Sequence, residues 1–289
     1  MRMRALALAA TLAALPAAAP APQAFEKGVV WANSWEEAKM EAQERNVPIL
    51  YTVQQDENPG SKAMEGAFRD ASFITASQRV VCVVSNPDVK HGTRDIIINK
   101  KKMGYCRAYD NMLCSAHIAC QSALYNFVDK TGNFDIPMQV WCRPDGTELF
   151  KITAIQGAAQ TAPALVKDME RALDRISGSH MPKKDWEELK KLLYDGDSAQ
   201  GTDYKLALAC FKKVMECKYE KFAAKGKERY EGFVKLMVNV VSKALKVYEK
   251  YPKDSKEYKE VKPMLTKIAK EMKGTEAGTA AEDALKQIK

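Results

Sequence analysis

The residues best suited to chemistry are cysteines and a histidine between positions 106 and 120. Cys106, Cys114, His117 and Cys120 lie close together along the chain, and His91 precedes them. If Cys114 begins a helix, Cys114 and His117 share one face because they are three residues apart, and Cys120 follows about two turns on. Thiolates and imidazoles are ligands that zinc and copper ions accept. Cys106, Cys114, His117 and Cys120 are therefore a candidate zinc or copper site.

The same cysteines have two other interpretations. A structural disulfide of Cys106 with Cys114 or Cys120 would pin a long connecting segment, and such segments are uncommon without a constraint. We favour this disulfide. The alternative is a thiol–disulfide oxidoreductase that uses an exposed, reactive pair of these cysteines. The three interpretations stay open on the sequence alone.

Other catalytic motifs are not found in the sequence. It contains no Gly-rich phosphate loop, no His-Glu-x-x-His and no Gly-x-Ser-x-Gly. The chain has three histidines in total, which leaves little material for acid–base catalysis. We therefore assign no catalytic residues, and a thiol–disulfide oxidoreductase is the enzymatic class that we keep.

The N-terminal residues have the pattern of a secretory signal peptide. A short basic start at Arg2 and Arg4 precedes an apolar run over residues 5–15, and small residues and prolines follow to position 24. We predict a signal peptide over residues 1–24, export to the periplasm or the extracellular space, and no transmembrane anchor. In such an oxidising compartment cysteines tend to pair, and with seven of them at least one lacks a partner within the chain.

The charge pattern bears on the class of partner. The formal net charge is +8, and most of the excess lies in a Lys-rich C-terminal third in which Glu residues are interspersed. This is typical of solvated helix faces, and no basic stripe alternates with aromatic residues. We therefore predict no nucleic-acid binding.

The elements around residues 47–68 organise the first half of the chain. Residues 47–53 are an apolar run that predicts a strand, and a polar turn over residues 54–57 leads into an amphipathic helix. Asn58 is a strong helix N-cap, and Pro59 is favoured at the first helical position. The predicted order is helix, strand, helix, strand, an insertion over residues 87–134, a β-hairpin and a closing helix.

This order and several short matches resemble the thioredoxin-like family along residues 29–177. The matching positions are Pro137 before the third strand, the hairpin turn Asp145-Gly146, and Trp31, Trp35, Glu36, Glu37 and Ala38, which resemble the entry helix of a secreted subgroup with a modified active site. The resemblance implies an α/β fold with a central mixed sheet flanked by helices. It also implies a cis peptide bond before Pro137.

The resemblance further implies a protein without the redox motif of the family. Redox-active members carry Cys-x-x-Cys at the turn into the second helix, where the helix N-terminus stabilises a thiolate. Here Asn58 and Ser61 occupy the two cysteine positions. We therefore expect a protein- or peptide-binding or assembly module, with a groove lined by Asn58, Ser61, Ile136 and Pro137.

The second half of the chain is predicted to be helical throughout. Apolar residues recur three and four apart over residues 185–194, 202–222, 227–251, 254–272 and 279–288. Residues 203–209 resemble the first helix of a tetratricopeptide unit, but no second copy follows at the spacing of that repeat. The predicted organisation is a signal peptide over residues 1–24, a thioredoxin-like domain over 25–178 and an all-α, repeat-like domain over 182–289.

Overall fold

A computed structural model describes residues 28–88, 91–98, 101–109, 112–128, 132, 134–153 and 161–288 of the chain. The predicted signal peptide lies outside the described residues. The elements are α1 (Trp35–Arg45), β1 (Ile49–Val53), α2 (Pro59–Arg69), α3 (Ala71–Ser77), β2 (Val81–Ser85), β3 (Thr93–Ile98), β4 (Lys101–Cys106), α4 (Cys114–Ala119), a 3-10 helix (Cys120–Asn126), β5 (Met138–Cys142), β6 (Glu148–Thr153), α5 (Ala162–Leu173), α6 (Lys183–Ala199), α7 (Tyr204–Met215), α8 (Glu220–Lys250), α9 (Lys256–Glu271) and α10 (Glu276–Gln287). Among the described helices, none has the length and apolar character needed to cross a bilayer.

The first half of the chain forms a four-stranded mixed sheet in the order β2-β1-β5-β6. Strands β1 and β2 are parallel, whereas β1–β5 and β5–β6 are antiparallel. Every residue of β1, β2 and β5 is buried, and their mostly apolar sequences suit strands that are covered on both faces. The predicted α/β class, with helices flanking a mixed sheet and an all-helical second part, is confirmed.

Each face of the sheet has its own hydrophobic core. Helices α2, α3 and α5 cover one face, where Phe73 and Leu165 are fully buried. Helix α1 and the 3-10 helix cover the other, where the ring of Trp35 packs edge-on against Tyr51 and Phe127. Burying each large apolar side chain contributes about 1.5–3 kcal/mol, so these two cores hold the helices on the sheet.

Local signals set the ends of the helices beside the sheet. Ser34 caps α1 by accepting the N–H of Glu37 at 3.1 Å. Asn46 ends α1 in the left-handed conformation at φ 55°, which Asn tolerates better than most residues. Asn58 caps α2 by accepting the N–H of Ser61 at 3.1 Å.

The insertion contains a hairpin that the sequence analysis does not predict. Strands β3 and β4 pair with each other and form a separate two-stranded sheet, with Thr93 opposite Cys106. The helical spacing from Cys114 onward is realised as α4 followed by the 3-10 helix. Two residues of the basic run over residues 100–102, Lys101 and Lys102, belong to β4.

Helices α6 to α10 form the second half of the chain. The helix predicted over residues 202–222 is interrupted, because α7 ends at Met215 and α8 begins at Glu220. Helices α7 and α8 then pack closely where Gly226 faces the end of α7. A Cβ at Gly226 would lie 2.4 Å from the backbone nitrogen of Met215.

The two halves meet through a buried ionic network. Arg45 of α1 is fully buried and donates to Glu41 at 2.6 Å and to the carbonyl of Met181 at 3.1 Å. Lys183 of α6 pairs with the same Glu41 at 2.8 Å. Glu41 therefore connects a cation of the α/β half with a cation of the helical half.

Candidate metal centre

A cluster of four metal-binding side chains lies beyond the carboxyl ends of the parallel strands β1 and β2. Its members come from the segment before β3, the end of β4, and helix α4. One ligand atom from each member lies within 4.8 Å of the others, and the members are His91, Cys106, Cys114 and His117. We call this group the Cys2His2 cluster.

The first histidine of the cluster is oriented by a carboxylate. His91 Nδ1 lies 2.8 Å from Asp56 Oδ1, and the backbone N–H of His91 donates to Asp56 Oδ2 at 3.1 Å. A proton on Nδ1 satisfies the carboxylate, and Nε2 then faces Cys114 Sγ at 3.6 Å. Burial acts to raise the pKa of Asp56, but hydrogen bonds from His91 and Asn86 outweigh it and lower that pKa.

The second histidine is oriented by a backbone carbonyl. His117 is fully buried, and its Nδ1 lies 2.8 Å from the carbonyl oxygen of Asn86. A carbonyl can only accept, so Nδ1 carries the proton and Nε2 presents its lone pair. This Nε2 is buried without a hydrogen-bond partner among the described residues. Burial lowers the pKa of His117, so its imidazole is neutral near pH 7.

The two cysteines differ in exposure. Cys106 is fully buried at the end of β4, where its sulfur accepts the N–H of Tyr109 at 3.4 Å. Burial raises the pKa of Cys106 to about 12, although the hydrogen bond from Tyr109 acts in the opposite direction. Cys114 begins α4 and is partly exposed, three residues before His117 and on the same helix face.

Asn86 joins the supports of both histidines. Its carbonyl orients His117, and its side-chain amide donates to Asp56 Oδ1 at 2.9 Å, the carboxylate that orients His91. The same amide donates to the Tyr109 hydroxyl at 3.1 Å. Metal-binding histidines commonly donate their other ring N–H to a carboxylate or a carbonyl in this way. The cluster therefore has the outer layer of hydrogen bonds that metal ligands require.

Three of the four predicted metal ligands are brought together, and the fourth position is taken by a different residue. Cys120 packs in the core on the other face of the sheet, where its carbonyl accepts the Tyr51 hydroxyl at 2.9 Å. It lies about 240° around the helix axis from Cys114, so it points away from the cluster. His91 replaces it, because the β3–β4 hairpin returns the chain so that Cys106 lies beside the start of β3.

The predicted disulfide is not formed in the structure. All seven cysteines are free, including Cys106, Cys114 and Cys120. Cys106 and Cys120 belong to different cores, whereas Cys106 and Cys114 are neighbours in the cluster. Whether Cys106 and Cys114 are oxidised in solution stays a prediction.

The four predicted groove residues also lie together. Asn58 Nδ2 donates to the carbonyl of Ile136 at 2.9 Å, and the Ile136–Pro137 bond is cis, as the resemblance implies. Gly60 allows this approach, since a Cβ there would lie 2.7 Å from Pro137 Cδ. Ser61 and Pro137 are buried, whereas Asn58 and Ile136 are half-buried and are the more accessible members of the set, with Ile136 also packing against the core on the α1 side of the sheet.

No protein-family model matches the chain, and no curated protein is significantly similar to it.

Proposed function

We propose that the chain binds one zinc ion at His91, Cys106, Cys114 and His117, and that this ion anchors the insertion of a redox-inactive, thioredoxin-like binding module. One observation carries the metal assignment. Both histidines use Nδ1 for a fixed protein acceptor, and the Nε2 atoms are left to face two thiols. A metal ion satisfies all four groups at once.

The ligand set favours zinc. Two cysteines and two histidines are a common set at tetrahedral structural zinc sites, and zinc–ligand distances of 2.0–2.3 Å place neighbouring ligand atoms roughly 3.3–3.8 Å apart. His91 Nε2 and Cys114 Sγ are already 3.6 Å apart, and all four atoms lie within 4.8 Å of one another. The four ligand atoms would therefore have to move by about 1 Å to bind one zinc ion. Two thiolates would also neutralise the dication, which suits a largely buried position.

A disulfide between Cys106 and Cys114 explains less of the geometry. It would use the two sulfurs but leave His117 Nε2 buried and unpaired. An unsatisfied buried polar group costs about 1–3 kcal/mol, so such an arrangement calls for a further partner. A disulfide alone would also not explain why His91 and His117 both direct Nε2 toward the two sulfurs.

The ligand set also favours a structural role over catalysis. Four protein ligands fill a tetrahedral zinc ion and leave no open position for a substrate. An oxidoreductase based on these cysteines would need a thiol with a lowered pKa, whereas burial raises the pKa of Cys106. The oxidoreductase alternative therefore has less support than the metal site.

The binding module is supported by the elements around the predicted groove. The mixed sheet β2-β1-β5-β6 flanked by helices, with α2 following β1, supports this proposal, because the resemblance implies a central mixed sheet between helices. Asn58 caps α2 at the position where redox-active members carry a cysteine. We propose that Asn58 and Ile136 contact an extended protein or peptide partner, and that the protein acts after export.

The metal assignment is tested by metal analysis with free-thiol counts on protein purified under reducing conditions. We expect one zinc ion per chain in the wild type and in Cys120→Ser, and a loss of zinc in Cys106→Ser. Cys120→Ser is a matched control because Cys120 is also a buried cysteine of the insertion but lies outside the cluster. Zinc-free wild type with reduced thiols, or equal loss in both variants, would refute the assignment.

The binding module is tested on a peptide array. We expect the wild type to retain extended peptides and Ile136→Asp to lose them, since this variant puts a charge on the accessible part of the groove. Cys120→Ser is again the control. Equal retention by the wild type and Ile136→Asp would remove the groove from the proposal.

A further inference from the structure

The Cys2His2 cluster and the predicted groove share one turn of the chain. Asp56, which orients His91, lies two residues before Asn58, which caps α2 and contacts Ile136. We propose that zinc binding orders this turn, so that the groove takes its binding shape only when the metal is bound. This inference rests on the proposed zinc site and concerns its regulation of the groove.

The centre of the turn is held mainly by residues on the metal side. The Asp56 carboxylate accepts the ring N–H and the backbone N–H of His91, at 2.8 and 3.1 Å, and the amide of Asn86 at 2.9 Å. The Asp56 backbone N–H donates to Asp88 Oδ2 at 3.0 Å. These partners belong to the segment that follows β2 and leads to the first metal ligand. The position of Asp56 therefore depends on the position of that segment.

Hydrogen bonds of the residues next to Asp56 connect the turn to the groove. The N–H of Gln55 donates to Ser61 Oγ at 3.1 Å, and the N–H of Asn58 donates to the carbonyl of Gln55 at 3.1 Å. The Asn58 side chain then joins the first turn of α2 to Ile136. A shift of Asp56 must therefore move the groups that support both sides of the groove.

A bound metal ion would hold His91, whose ring and backbone N–H contact the Asp56 carboxylate, in a fixed position. Bound zinc would hold the His91 ring and strengthen its Nδ1–H as a donor to the carboxylate. Outer-layer partners of this kind typically change metal affinity by about 10- to 100-fold when they are lost. Coupling between two sites is reciprocal, so a change that frees the turn must weaken zinc binding by the factor by which zinc stabilises the turn.

The test is hydrogen–deuterium exchange of the full chain with bound zinc and after chelation. We expect zinc to slow exchange of the amides of residues 55–61 by about tenfold or more, in the range typical of coupled sites. Amides of α9 should not change, because α9 packs in a separate hydrophobic core of the helical half.

Two variants test whether the Asp56 carboxylate carries the coupling. Asp56→Asn should weaken zinc binding about 10- to 100-fold and remove the protection of residues 55–61. Glu57→Gln is the matched control, since Glu57 is adjacent and its side chain is 67% exposed, and it should behave as the wild type. Zinc affinity is measured by competition with a chromophoric chelator.

The outcomes separate this inference from the function on which it rests. If zinc binds stoichiometrically but residues 55–61 of the wild type exchange equally with and without it, the coupling is refuted and the zinc site stands. Wild-type zinc affinity in Asp56→Asn would also refute the coupling. If the wild type binds no zinc, the proposed function itself fails. The wild-type comparison needs no variant, so a folding defect in Asp56→Asn leaves the test intact.

Discussion

Glu41 offers the sharpest test of how the two halves of the chain are joined. Arg45 is fully buried, and among the described residues Glu41 is the carboxylate paired with it. The other Arg45 hydrogen bonds go to backbone carbonyls, including those of Met181 and Gln78. Carbonyls satisfy the donors of Arg45 but do not neutralise its charge. Replacing Glu41 with Ala would therefore leave a buried guanidinium without a counter-charge.

The expected loss is large. Removing one partner of a buried ion pair typically costs about 3–5 kcal/mol, and we expect Glu41→Ala to lower the free energy of unfolding by that amount. Lys183, which pairs with Glu41 at 2.8 Å and is mostly buried, would lose the same partner. The matched control is Glu36→Ala in the same helix. Glu36 pairs with Lys39 but is 79% exposed, so its loss should cost less than about 1 kcal/mol.

Urea denaturation followed by tryptophan fluorescence measures both variants. A loss below about 1 kcal/mol for Glu41→Ala would refute the reasoning, because it is no larger than the effect of an exposed ion pair. Equal losses for Glu41→Ala and Glu36→Ala would also refute it, because burial would then make no difference between the two pairs. Adding Arg45→Met to Glu41→Ala should recover part of the loss, because the methionine removes the fully buried guanidinium charge, whereas Lys183 stays without Glu41. No recovery in the double variant would show that lost packing, not the unpaired charge, causes the instability.

Two pairs of glycine substitutions test the close approaches of helices. Gly60→Ala should destabilise the protein by about 1–3 kcal/mol, because its Cβ would lie 2.7 Å from Pro137 Cδ, whereas Gly66→Ala in the same helix meets nothing within 4 Å and should stabilise it by about 0.5–1 kcal/mol. Thermal unfolding measures both, and equal shifts would contradict the predicted contact. Gly226→Ala should lower the unfolding temperature more steeply than Gly60→Ala, because its Cβ would meet rigid backbone of α7, and Gly232→Ala in the same helix should raise it. Similar unfolding temperatures for the two α8 variants would contradict the packing of α7 on α8.

The sequence predicts the sheet better than the insertion for a physical reason. A largely apolar run over residues 47–53 predicts β1, and the structure has this strand over Ile49–Val53. The sequence does not indicate the β3–β4 hairpin, because its basic residues, Lys101 among them, are typical of exposed segments and the two strands form a sheet apart from the main one. The break between α7 and α8 was missed for a similar reason, since Tyr219 provides no side-chain cap to mark the start of α8.

The missed hairpin also explains the one misplaced ligand of the candidate site. The sequence indicates that Cys114 and His117 lie together, because their spacing within one helix is a local signal. His91 joins them only because β3 and β4 pair, which sets Cys106 opposite Thr93. Without the hairpin the sequence offers no spacing rule for His91. Proximity along the chain then favours Cys120, although it points into the other core.

The β3–β4 hairpin allows a prediction of which part of the insertion the metal ion stabilises. A two-stranded hairpin is at best marginally stable alone, and β3–β4 forms no ladder with the main sheet. His91 lies two residues before the start of β3 and Cys106 ends β4, so a metal ion bound to both would close the open end of the hairpin.

We therefore expect chelation to raise amide exchange throughout the hairpin. The 3-10 helix should keep its protection, because Cys120 and Ala123 are buried in the core beside Tyr51 whether or not the metal is present. Exchange mass spectrometry of peptides from the two segments measures the difference. If chelation exposes both segments equally, the insertion unfolds as one unit. If it exposes neither, the cluster does not hold the hairpin. The expected split follows from how each segment is anchored, since apolar burial holds one and metal ligands hold the other.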